Sequence, residues 1–265
     1  MGIVNVTPDS FSDGGRYLDH AVALAHARRL IAEGADILDI GGESTRPGAA
    51  PVSEAEEMAR TIPLIVALRA ESDIPVSIDT MKPDVARAAV EAGATLWNDV
   101  SALTWSPDSP AVAAALGCEV VLMHKKGESC TMQDDPRYDD VVREVGEYLL
   151  SRAEAAMAAG VARARIWLDP GIGFGKTLAH NLALLRRLDE LAALGFPILY
   201  GASRKSSLVR IDPSAADPDH RLGGSIAFAL AAARAGAAMV RVHDVRETRQ
   251  ALAVQAAIEA EAAQP

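Results

Sequence analysis

The chain contains only two cysteines among its 265 residues, Cys118 and Cys130, and it has no C-x-x-C pair. Such a sequence has no disulfide framework, so we expect a reducing, cytoplasmic location. No stretch reaches the roughly 18 apolar residues of a transmembrane helix, and the polar, proline-containing start does not resemble a signal peptide. The sequence therefore predicts neither a membrane partner nor secretion.

Positive charge is in short supply, with 26 Lys and Arg residues against 36 Asp and Glu residues and a net charge of −10. A general nucleic-acid binder needs a basic face, so we expect no nucleic-acid partner. Hydrophobic residues at 49% and charged residues at 23% are ordinary for a globular protein. Because no shift in composition marks a linker, we predict one domain over residues 1–265.

One pattern repeats along the chain: a short run rich in Val, Ile and Leu ends in polar residues or glycine, and an Ala- and Leu-rich stretch follows. The runs, each predicted to be a buried strand, are 3–7, 36–40, 75–80, 95–101, 119–124, 166–169, 197–200 and 239–243. They recur about every 34 residues, which is typical of β-α units in a parallel sheet. Eight units in about 250 residues predict an α/β fold, a single (β/α)8 TIM barrel, with an open doubly wound sheet as the alternative.

The stretches between the runs have the periodicity and the end signals of helices. We predict helices over 20–33, 83–92, 138–159, 181–194, 221–235 and 246–261, most of them followed by glycine. Ser53 and Glu56 have the spacing of a capping box and predict the start of another helix. The stretch 212–219 is rich in Pro, Asp and Ser and is expected to be a surface loop.

Polar residues gather at one end of the predicted strands, which is where a barrel holds its catalytic groups. They are Asn5, Thr7, Asp9, Asp13, Glu43, Thr45, Arg46, Asp79, Asn98 and Asp99 after the first four runs, and His124, Asp169, Ser203, Arg204, Lys205, Ser206, Arg241 and His243 after the last four. The opposite ends are apolar or glycine. This asymmetry favours an enzyme over a purely structural barrel.

Asp79, Asn98 and Asp169 lie within otherwise apolar strands. A carboxylate buried there is costly unless it is paired or hydrogen-bonded. These three side chains offer acceptors and one amide, which suits a ring that bears N–H and NH2 groups, and Lys205 is the expected cation on the opposite side. The alternative is a structural network within the barrel.

Arg241 and His243 alternate with Val242 and are therefore predicted to face the same side of the eighth strand. With Asn5 and Arg46 they would hold a phosphate or pyrophosphate, because arginine binds such groups through two hydrogen bonds. A solvated salt bridge is the alternative interpretation of Arg241.

Asn5, Asp9 and Asp13 predict a magnesium site, since Mg2+ favours few carboxylates, substrate phosphates and retained water. No H-x-x-H or Cys/His cluster indicates zinc. The glycine-rich segment 169–176 is neither a P-loop nor a Rossmann motif, because its glycine spacing fits neither. His124, at a strand end, is either a buried structural histidine or a catalytic one.

Seven segments carry distinctive motifs in order over nearly the whole chain. They are G-I-V-N-V-T-P-D-S-F-S-D-G-G at 2–15, G-G-E-S-T-R-P-G at 41–48, S-I-D-T at 77–80, N-D-V-S at 98–101, L-D-P-G-I-G-F-G-K at 168–176, G-A-S-R-K-S at 201–206 and R-V-H-D-V at 241–245. Together they resemble the motifs of the dihydropteroate synthase family. The resemblance implies a (β/α)8 barrel of folate biosynthesis that is usually a homodimer and is the target of sulfonamides. The implied reaction joins 6-hydroxymethyl-7,8-dihydropterin pyrophosphate to p-aminobenzoate and releases 7,8-dihydropteroate and pyrophosphate.

The resemblance also implies a role for individual residues toward these small-molecule partners. It implies a pterin site of Asp79, Asn98, Asp169, Phe174 and Lys205, a pyrophosphate site of Asn5, Arg46, Arg241 and His243 with Mg2+ at Asn5, and a p-aminobenzoate site of Phe11, Thr45, Pro47 and Ser206. The implied catalytic residues are Asp13, Arg46, Asp169 and Lys205. The segments 9–15 and 45–48 resemble the loops that close over the second substrate.

The chain departs from the family pattern at Lys125 and Ser129, where Met and Pro are common, and this alters one edge of the expected pterin site. Two other functions fit the same barrel: a pterin-dependent methyltransferase that acts with a corrinoid protein, and a non-catalytic pterin-binding paralogue. A methyltransferase would lack a pyrophosphate site, so Arg241 and His243 argue against it. A paralogue would be expected to lose loop residues that are present here.

Overall fold

The computed structural model describes residues 1–7, 16–44, 51–127 and 131–262. Several residues predicted above lie outside this part of the chain, namely Asp9, Phe11, Asp13, Thr45, Arg46, Pro47, Ser129 and Cys130. The described residues hold the barrel strands and the remaining members of the expected site.

Eight short strands lie in the described residues, in the order that the sequence predicts. They are β1 (Gly2–Asn5), β2 (Leu38–Gly41), β3 (Val76–Asp79), β4 (Leu96–Asp99), β5 (Glu119–Met123), β6 (Ile166–Asp169), β7 (Leu199–Tyr200) and β8 (Met239–Val240). Strands β1 to β6 pair in parallel in chain order, and β7 pairs in parallel with β8. Parallel bridges from Leu168 to Ile198 and from Gly2 to Val242 join the two sheets at both edges. The strands therefore close into the predicted barrel, and the alternative prediction of an open doubly wound sheet is wrong.

Helices connect the strands and surround the barrel. They are α1 (Arg16–Ala32), α2 (Glu54–Arg69), α3 (Pro83–Glu91), α4 (Ser109–Leu116), α5 (Val141–Ala158), α6 (Leu178–Arg186), α7 (Leu188–Ala192), α8 (Ser207–Ile211), α9 (Leu222–Arg234) and α10 (Val245–Ala262). The predicted loop 212–219 contains one short 3-10 turn (Pro213–Ala215) and the start of another (Pro218–Arg221). Among the described helices, none has both the length and the apolar character that crossing a membrane requires.

The single helix predicted over 181–194 is wrong, because the chain breaks it at Arg187 into α6 and α7. Arg187 leaves the helical conformation (φ −116°, ψ 30°), and its guanidinium lies 3.1 Å from Asp140 at the start of α5. Helix α6 also begins earlier than predicted, since Thr177 and His180 form a capping box there. Side-chain hydrogen bonds thus override the apolar periodicity at the start of this stretch and at the break within it.

Helix α4 is absent from the sequence prediction because it is almost uniformly apolar and shows no polar face. Helix α5 begins at Val141, later than predicted, because Asp140 accepts hydrogen bonds from the backbone amides of Val142 and Arg143. The predicted cap of α2 is present, since the Ser53 hydroxyl accepts a hydrogen bond of 3.3 Å from the backbone amide of Glu56.

Side chains alternate between the two faces of the barrel wall, as the period of two in a strand requires. A small apolar cluster fills the amino end of the barrel interior. It consists of Met1, Ile37, Leu96, Val121 and Leu199, with Trp167 and Met239 packed against it. Two positions further along the same strands, the inward-facing residues are Asp39, Asn98, Asp169 and Arg241. The barrel interior is therefore apolar at its amino end and polar at its carboxyl end.

Candidate active site

Strands β1 to β4 place the amide and carboxylate groups of the site side by side. The register pairs Asn5 with Gly41, Gly41 with Asp79, and Asp79 with Asn98. A Cβ added at Gly41 would lie 3.7 Å from both Asn5 Oδ1 and Asp79 Oδ2. The absence of a side chain at Gly41 therefore keeps the space between the Asn5 amide and the Asp79 carboxylate open.

Arg241 follows β8 and binds two carboxylates in this layer. Its Nε lies 2.5 Å from Asp39 Oδ2, and its Nη2 lies 2.8 Å from Asp79 Oδ2. Burial opposes the charge of the guanidinium, but Asp39 and Asp79 together raise the pKa of Arg241 above its ordinary value. Because the Asp39 side chain is fully buried, this is not the solvated salt bridge that the sequence left open. No described residue binds the remaining nitrogen, Nη1.

Two carboxylates of the site have raised pKa values. Burial raises the pKa of Asp79 to about 7, with the nearby charge of Arg241 lowering it and that of Asp39 raising it. Burial also raises the pKa of Asp169, against the effect of Lys205. Ligand donors that reach these oxygens would replace lost hydration and favour the charged forms.

Asp169 and Lys205 lie on the opposite wall, at the ends of β6 and β7. Asp169 Oδ1 accepts a hydrogen bond of 2.7 Å from the backbone amide of Gly171. The Lys205 ammonium donates to the carbonyl of Ile172 and lies 4.8 Å from the centre of the Phe174 ring. Burial lowers the pKa of Lys205 to about 8, while Asp169 raises it. The structure thus brings together a cation, a carboxylate and an aromatic ring that sequence reasoning assigned to one ligand.

Lys176 fixes the glycine-rich segment that carries Phe174. Its buried Nζ lies 2.8 Å from His124 Nδ1 and 3.0 Å from the carbonyl oxygens of both Gly171 and Phe174. Burial and the Lys176 charge lower the pKa of His124 to about 3. His124 is buried, and its Nδ1 is held by Lys176, which favours the structural interpretation of this residue over the catalytic one.

The glycines of this segment allow two loops to approach closely. Gly171 and Gly175 have φ angles of 67° and 66°, in the left-handed region. A Cβ at Gly171 would collide with the carbonyl oxygen of His124, and one at Gly175 with that of Lys126. These two glycines thus serve the packing of the two loops.

His243 and Ser203 connect the ends of β8 and β7. The backbone amide of His243 donates to Ser203 Oγ at 3.1 Å, and His243 Nδ1 lies 3.0 Å from the same oxygen. Ser206 is exposed at the start of the five-residue helix α8, and its hydroxyl makes no capping hydrogen bond. All three residues lie at the same carboxyl end of the barrel as the carboxylates.

Asp39 and Lys176 are not among the residues predicted from the sequence. Asp39 lies in the apolar run I-L-D-I, which is the signal that identified Asp79 and Asp169, so the same reasoning would have found it. Lys176 gave no such signal, because its partners are backbone carbonyls that only the folded loop brings together.

The described residues offer no metal cage, since no group of three or more His, Cys, Asp or Glu side chains could hold an ion there. Asn5 supplies one amide oxygen beside the open space at Gly41. A single protein oxygen fits Mg2+, which keeps several waters and takes further ligands from substrate phosphates. The described donor set is therefore compatible with a magnesium ion held largely by its ligand.

Comparison with known proteins agrees with this geometry. The profile of the family described as pterin binding enzyme matches residues 1–243. The dihydropteroate synthase of Escherichia coli K12 is 47% identical over 257 residues, which cover 96% of this chain and 89% of that protein. The chain belongs to the dihydropteroate synthase family. The relationship predicted from seven motifs is thereby confirmed.

Solved structures of the dihydropteroate synthase family share this barrel. The Xanthomonas albilineans enzyme with 4-aminobenzoic acid has a TM-score of 0.92 and 50% identity and covers all of this chain and 93% of its own. The same enzyme in complex with 7,8-dihydropteroate has a TM-score of 0.89 at 47% identity, with the same coverage. The predicted TIM-barrel architecture is confirmed at the level of the whole chain.

Proposed function

We propose that this member of the dihydropteroate synthase family condenses 6-hydroxymethyl-7,8-dihydropterin pyrophosphate with p-aminobenzoate in folate biosynthesis. It is a transferase that moves the dihydropterinylmethyl group and releases pyrophosphate. The observation that carries the proposal is the meeting of acceptor groups from β3, β4 and β6 with the ammonium of Lys205 inside the barrel. The likeness to proteins that hold 4-aminobenzoic acid and 7,8-dihydropteroate supports both ends of the reaction.

The pterin lies in the polar layer of the barrel. Asp79, Asn98 and Asp169 accept hydrogen bonds from its ring N–H and NH2 groups, because carboxylates accept only and an amide supplies one acceptor oxygen. Lys205 donates to the acceptor atoms of the ring, and Phe174 packs against the bicyclic system. The raised pKa values of Asp79 and Asp169 support this role, since such shifts cluster at functional sites.

The pyrophosphate lies at the mouth of the barrel, near Asn5, Arg241 and His243, with Arg46 from the second loop. The free Nη1 edge of Arg241 supports this assignment among the described residues. Arg46 and Asp13, proposed as catalytic from their family motifs, lie outside the described part of the chain. Arginine suits this role because its planar fork matches phosphate oxygens.

Mg2+ is the proposed cofactor, with Asn5 as its protein ligand and pyrophosphate oxygens and waters as the others. When bound, the ion would neutralise charge on the leaving oxygens. The single amide oxygen beside Gly41 supports a site of this kind.

The p-aminobenzoate site is proposed at Ser206, with Phe11, Thr45 and Pro47 supplied by the first two loops. Ser206 follows Lys205 in the chain, after the carboxyl end of β7, and its side chain is exposed. This exposure supports the assignment of Ser206 to the p-aminobenzoate site. The three loop residues fall outside the described residues and rest on the motifs alone.

The reaction breaks the bond between the pterin methylene and a pyrophosphate oxygen and forms a bond to the amine nitrogen. Negative charge grows on the leaving oxygens, where Arg46, Arg241 and His243 stabilise it. Positive charge grows on the pterin, where Asp79 and Asp169 stabilise it. The aromatic amine is neutral at pH 7, so no strong base is required, and it gives up its proton after the attack.

Pyrophosphate release tests the proposal. We expect release that requires both the pterin pyrophosphate and p-aminobenzoate, with 7,8-dihydropteroate as the second product and a sulfonamide competing with p-aminobenzoate. Methyl transfer to a corrinoid protein without pyrophosphate release would indicate the methyltransferase. Pterin binding without turnover would indicate the non-catalytic paralogue.

We further propose a homodimer in the cytoplasm. Val254 and Ile258, one turn apart on α10, have 56% and 61% of their surface exposed, which supports an interface on that helix. The low cysteine content supports a reducing compartment. Sedimentation of the wild type and of Ile258→Asp tests the dimer, which we expect to dissociate in the variant.

A further inference from the structure

Asp39 lies beneath the proposed pterin site and has no role in the function proposed above. Its side chain is fully buried in β2, two residues before Gly41 and on the same inward face. One carboxylate oxygen, Oδ2, lies 2.5 Å from Arg241 Nε and 3.2 Å from Asn98 Nδ2. Asp39 therefore touches two residues of the site without reaching its open end.

The contact with Asp39 decides which way the Asn98 amide is turned. An ionised carboxylate accepts hydrogen bonds and cannot donate them, so the NH2 group of Asn98 must face Asp39. The side-chain oxygen of Asn98, Oδ1, is then turned away from Asp39, and no described residue donates to it. Asn98 is thereby fixed as an acceptor toward a bound ligand.

Arg241 holds Asp39 in this position. The guanidinium holds Asp39 with Nε and Asp79 with Nη2, so one cation joins the carboxylates of β2 and β3. The same charge-assisted contact fixes the orientation of the Asp39 carboxyl group, because such bonds are short and strongly directional. Arg241 thus fixes the orientation of the Asp39 carboxyl group, and Asp39 in turn fixes the orientation of the Asn98 amide.

A contribution to stability alone does not explain why a buried aspartate occupies position 39. Its second oxygen, Oδ1, is buried without a hydrogen-bond partner among the described residues. Ser77 Oγ, the register partner on β3, is buried without one as well. Unpaired buried polar atoms are costly, and apolar side chains of similar size would avoid that cost.

We propose that Asp39 is a positioning residue that sets the donor-acceptor pattern of the pterin site through Asn98. With the Asn98 oxygen turned toward the ligand, Asp79, Asn98 and Asp169 each present an acceptor to it. The site then selects a ring edge that carries consecutive donors and rejects analogues with an acceptor at the position facing Asn98. This inference rests on the proposed function for the identity of the ring.

Asp39→Asn tests the proposal because it keeps the shape of the side chain and adds an NH2 group. The new amide can donate to the Asn98 oxygen and turn that amide over, which places a donor against the donors of the pterin. We expect the Kd of 6-hydroxymethyl-7,8-dihydropterin in calorimetry to rise about tenfold, the loss typical of one hydrogen bond, with little change in Tm. Unchanged affinity would overturn the proposal.

Exchanging the two side chains provides the rescue. In the double variant Asp39→Asn with Asn98→Asp, the carboxylate at position 98 accepts from the amide at 39 and offers its second oxygen to the ligand. The total charge is unchanged, and we expect affinity within about threefold of wild type. A double variant that melts like the wild type but stays as weak as Asp39→Asn would overturn the proposal.

A double-mutant cycle tests the proposal even if the variant with the two exchanged side chains is unstable. If Asp39 acts through Asn98, Asp39→Asn should weaken pterin binding by less than about twofold in an Asn98→Ala background. A full tenfold loss in that background would overturn the proposal. Ser77→Ala is the matched control, since it removes a buried polar atom at the same level, and we expect unchanged affinity.

These measurements read pterin binding without turnover. Absence of pyrophosphate release from a wild type that binds pterin would therefore count against the proposed reaction and not against the role of Asp39. A wild type that binds no pterin would overturn both.

Discussion

Lys176 Nζ lies 2.8 Å from His124 Nδ1 in the interior, where the two residues keep 1% and 5% of their surface exposed. Burial lowers the pKa of Lys176 well below its ordinary value. The amine also holds the carbonyl groups of Gly171 and Phe174, and so determines the shape of the segment between β6 and α6. A lysine far from bulk water thus supports the wall of the site that Lys205 and Phe174 form.

Lys176→Met should weaken pterin binding about tenfold, because the freed carbonyls let the Phe174 segment move. We also expect a loss of about 1–3 kcal/mol in the free energy of unfolding, since buried acceptors lose their donor. Calorimetry and urea denaturation provide the measurements. Lys126→Met is the control, as its exposed ammonium binds Arg137 O outside the interior; equal effects of the two substitutions would contradict the prediction.

Lys82→Met should cost about 3–5 kcal/mol in the free energy of unfolding. The Lys82 ammonium lies 2.5 Å from Glu57 and 2.6 Å from Glu43, and without it two carboxylates share a buried space. Urea denaturation checks this. Substituting Arg28, which forms an ion pair on the surface with Glu71, should leave the unfolding free energy nearly unchanged. A stable Lys82→Met protein would show that water reaches the two carboxylates.

The Asp79 carboxyl of the unliganded protein should contribute a loss of stability as the pH rises from about 4 to 7. The folded pKa of Asp79 is about 7 and its ordinary value is 3.8, so within this window the folded state binds a proton that the unfolded state has lost. One such group changes the free energy of unfolding by about 1.4 kcal/mol per pH unit at most. Asp99, raised to about 6 by burial, has the same sign. Denaturation at several pH values measures the slope, which Asp79→Asn should reduce; an unaltered slope would contradict the assignment.

Asp169→Asn should lower pterin affinity at least about 100-fold, or roughly 2.7 kcal/mol at 1.36 per tenfold. The new side chain can keep its oxygen on the amide of Gly171, where Oδ1 now accepts at 2.7 Å. Its NH2 group then replaces the acceptor that faces the pterin donors. Calorimetry gives the affinity, and a melting curve should barely move. Unchanged affinity, or collapse of the fold, would place Asp169 in a structural network.

p-Aminobenzoate should bind clearly only after pterin, pyrophosphate and Mg2+ are present. Its proposed site includes Thr45 of the second loop, and the proposal has bound pyrophosphate hold Arg46 of the same loop. Calorimetry with and without the first ligands measures the dependence, and Thr45→Ala or Arg46→Ala should remove it while sparing the pterin. Tight binding to the bare protein would contradict the ordered model.

Sequence reasoning located the strands well, because a buried strand is short, rich in branched residues and followed by polar groups. It failed for α4, which has no polar face, and for the break at Arg187, where a side chain binds Asp140 of another helix. The first failure reflects a helix without amphipathic periodicity, and the second reflects a contact between segments distant in the chain. Neither affects the barrel, since eight repeated units specify it redundantly.

The sequence by itself determined the barrel, its polar end and the acceptors Asp79, Asn98 and Asp169, because these depend on local alternation and on motifs read in order. Only the tertiary structure decided what Arg241 binds. Its partners Asp39 and Asp79 lie 202 and 162 residues away, and closure of the barrel brings them within 2.8 Å. A local sequence pattern shows that a buried charge must be paired. Which residue pairs with it depends on strands that become neighbours only when the barrel closes.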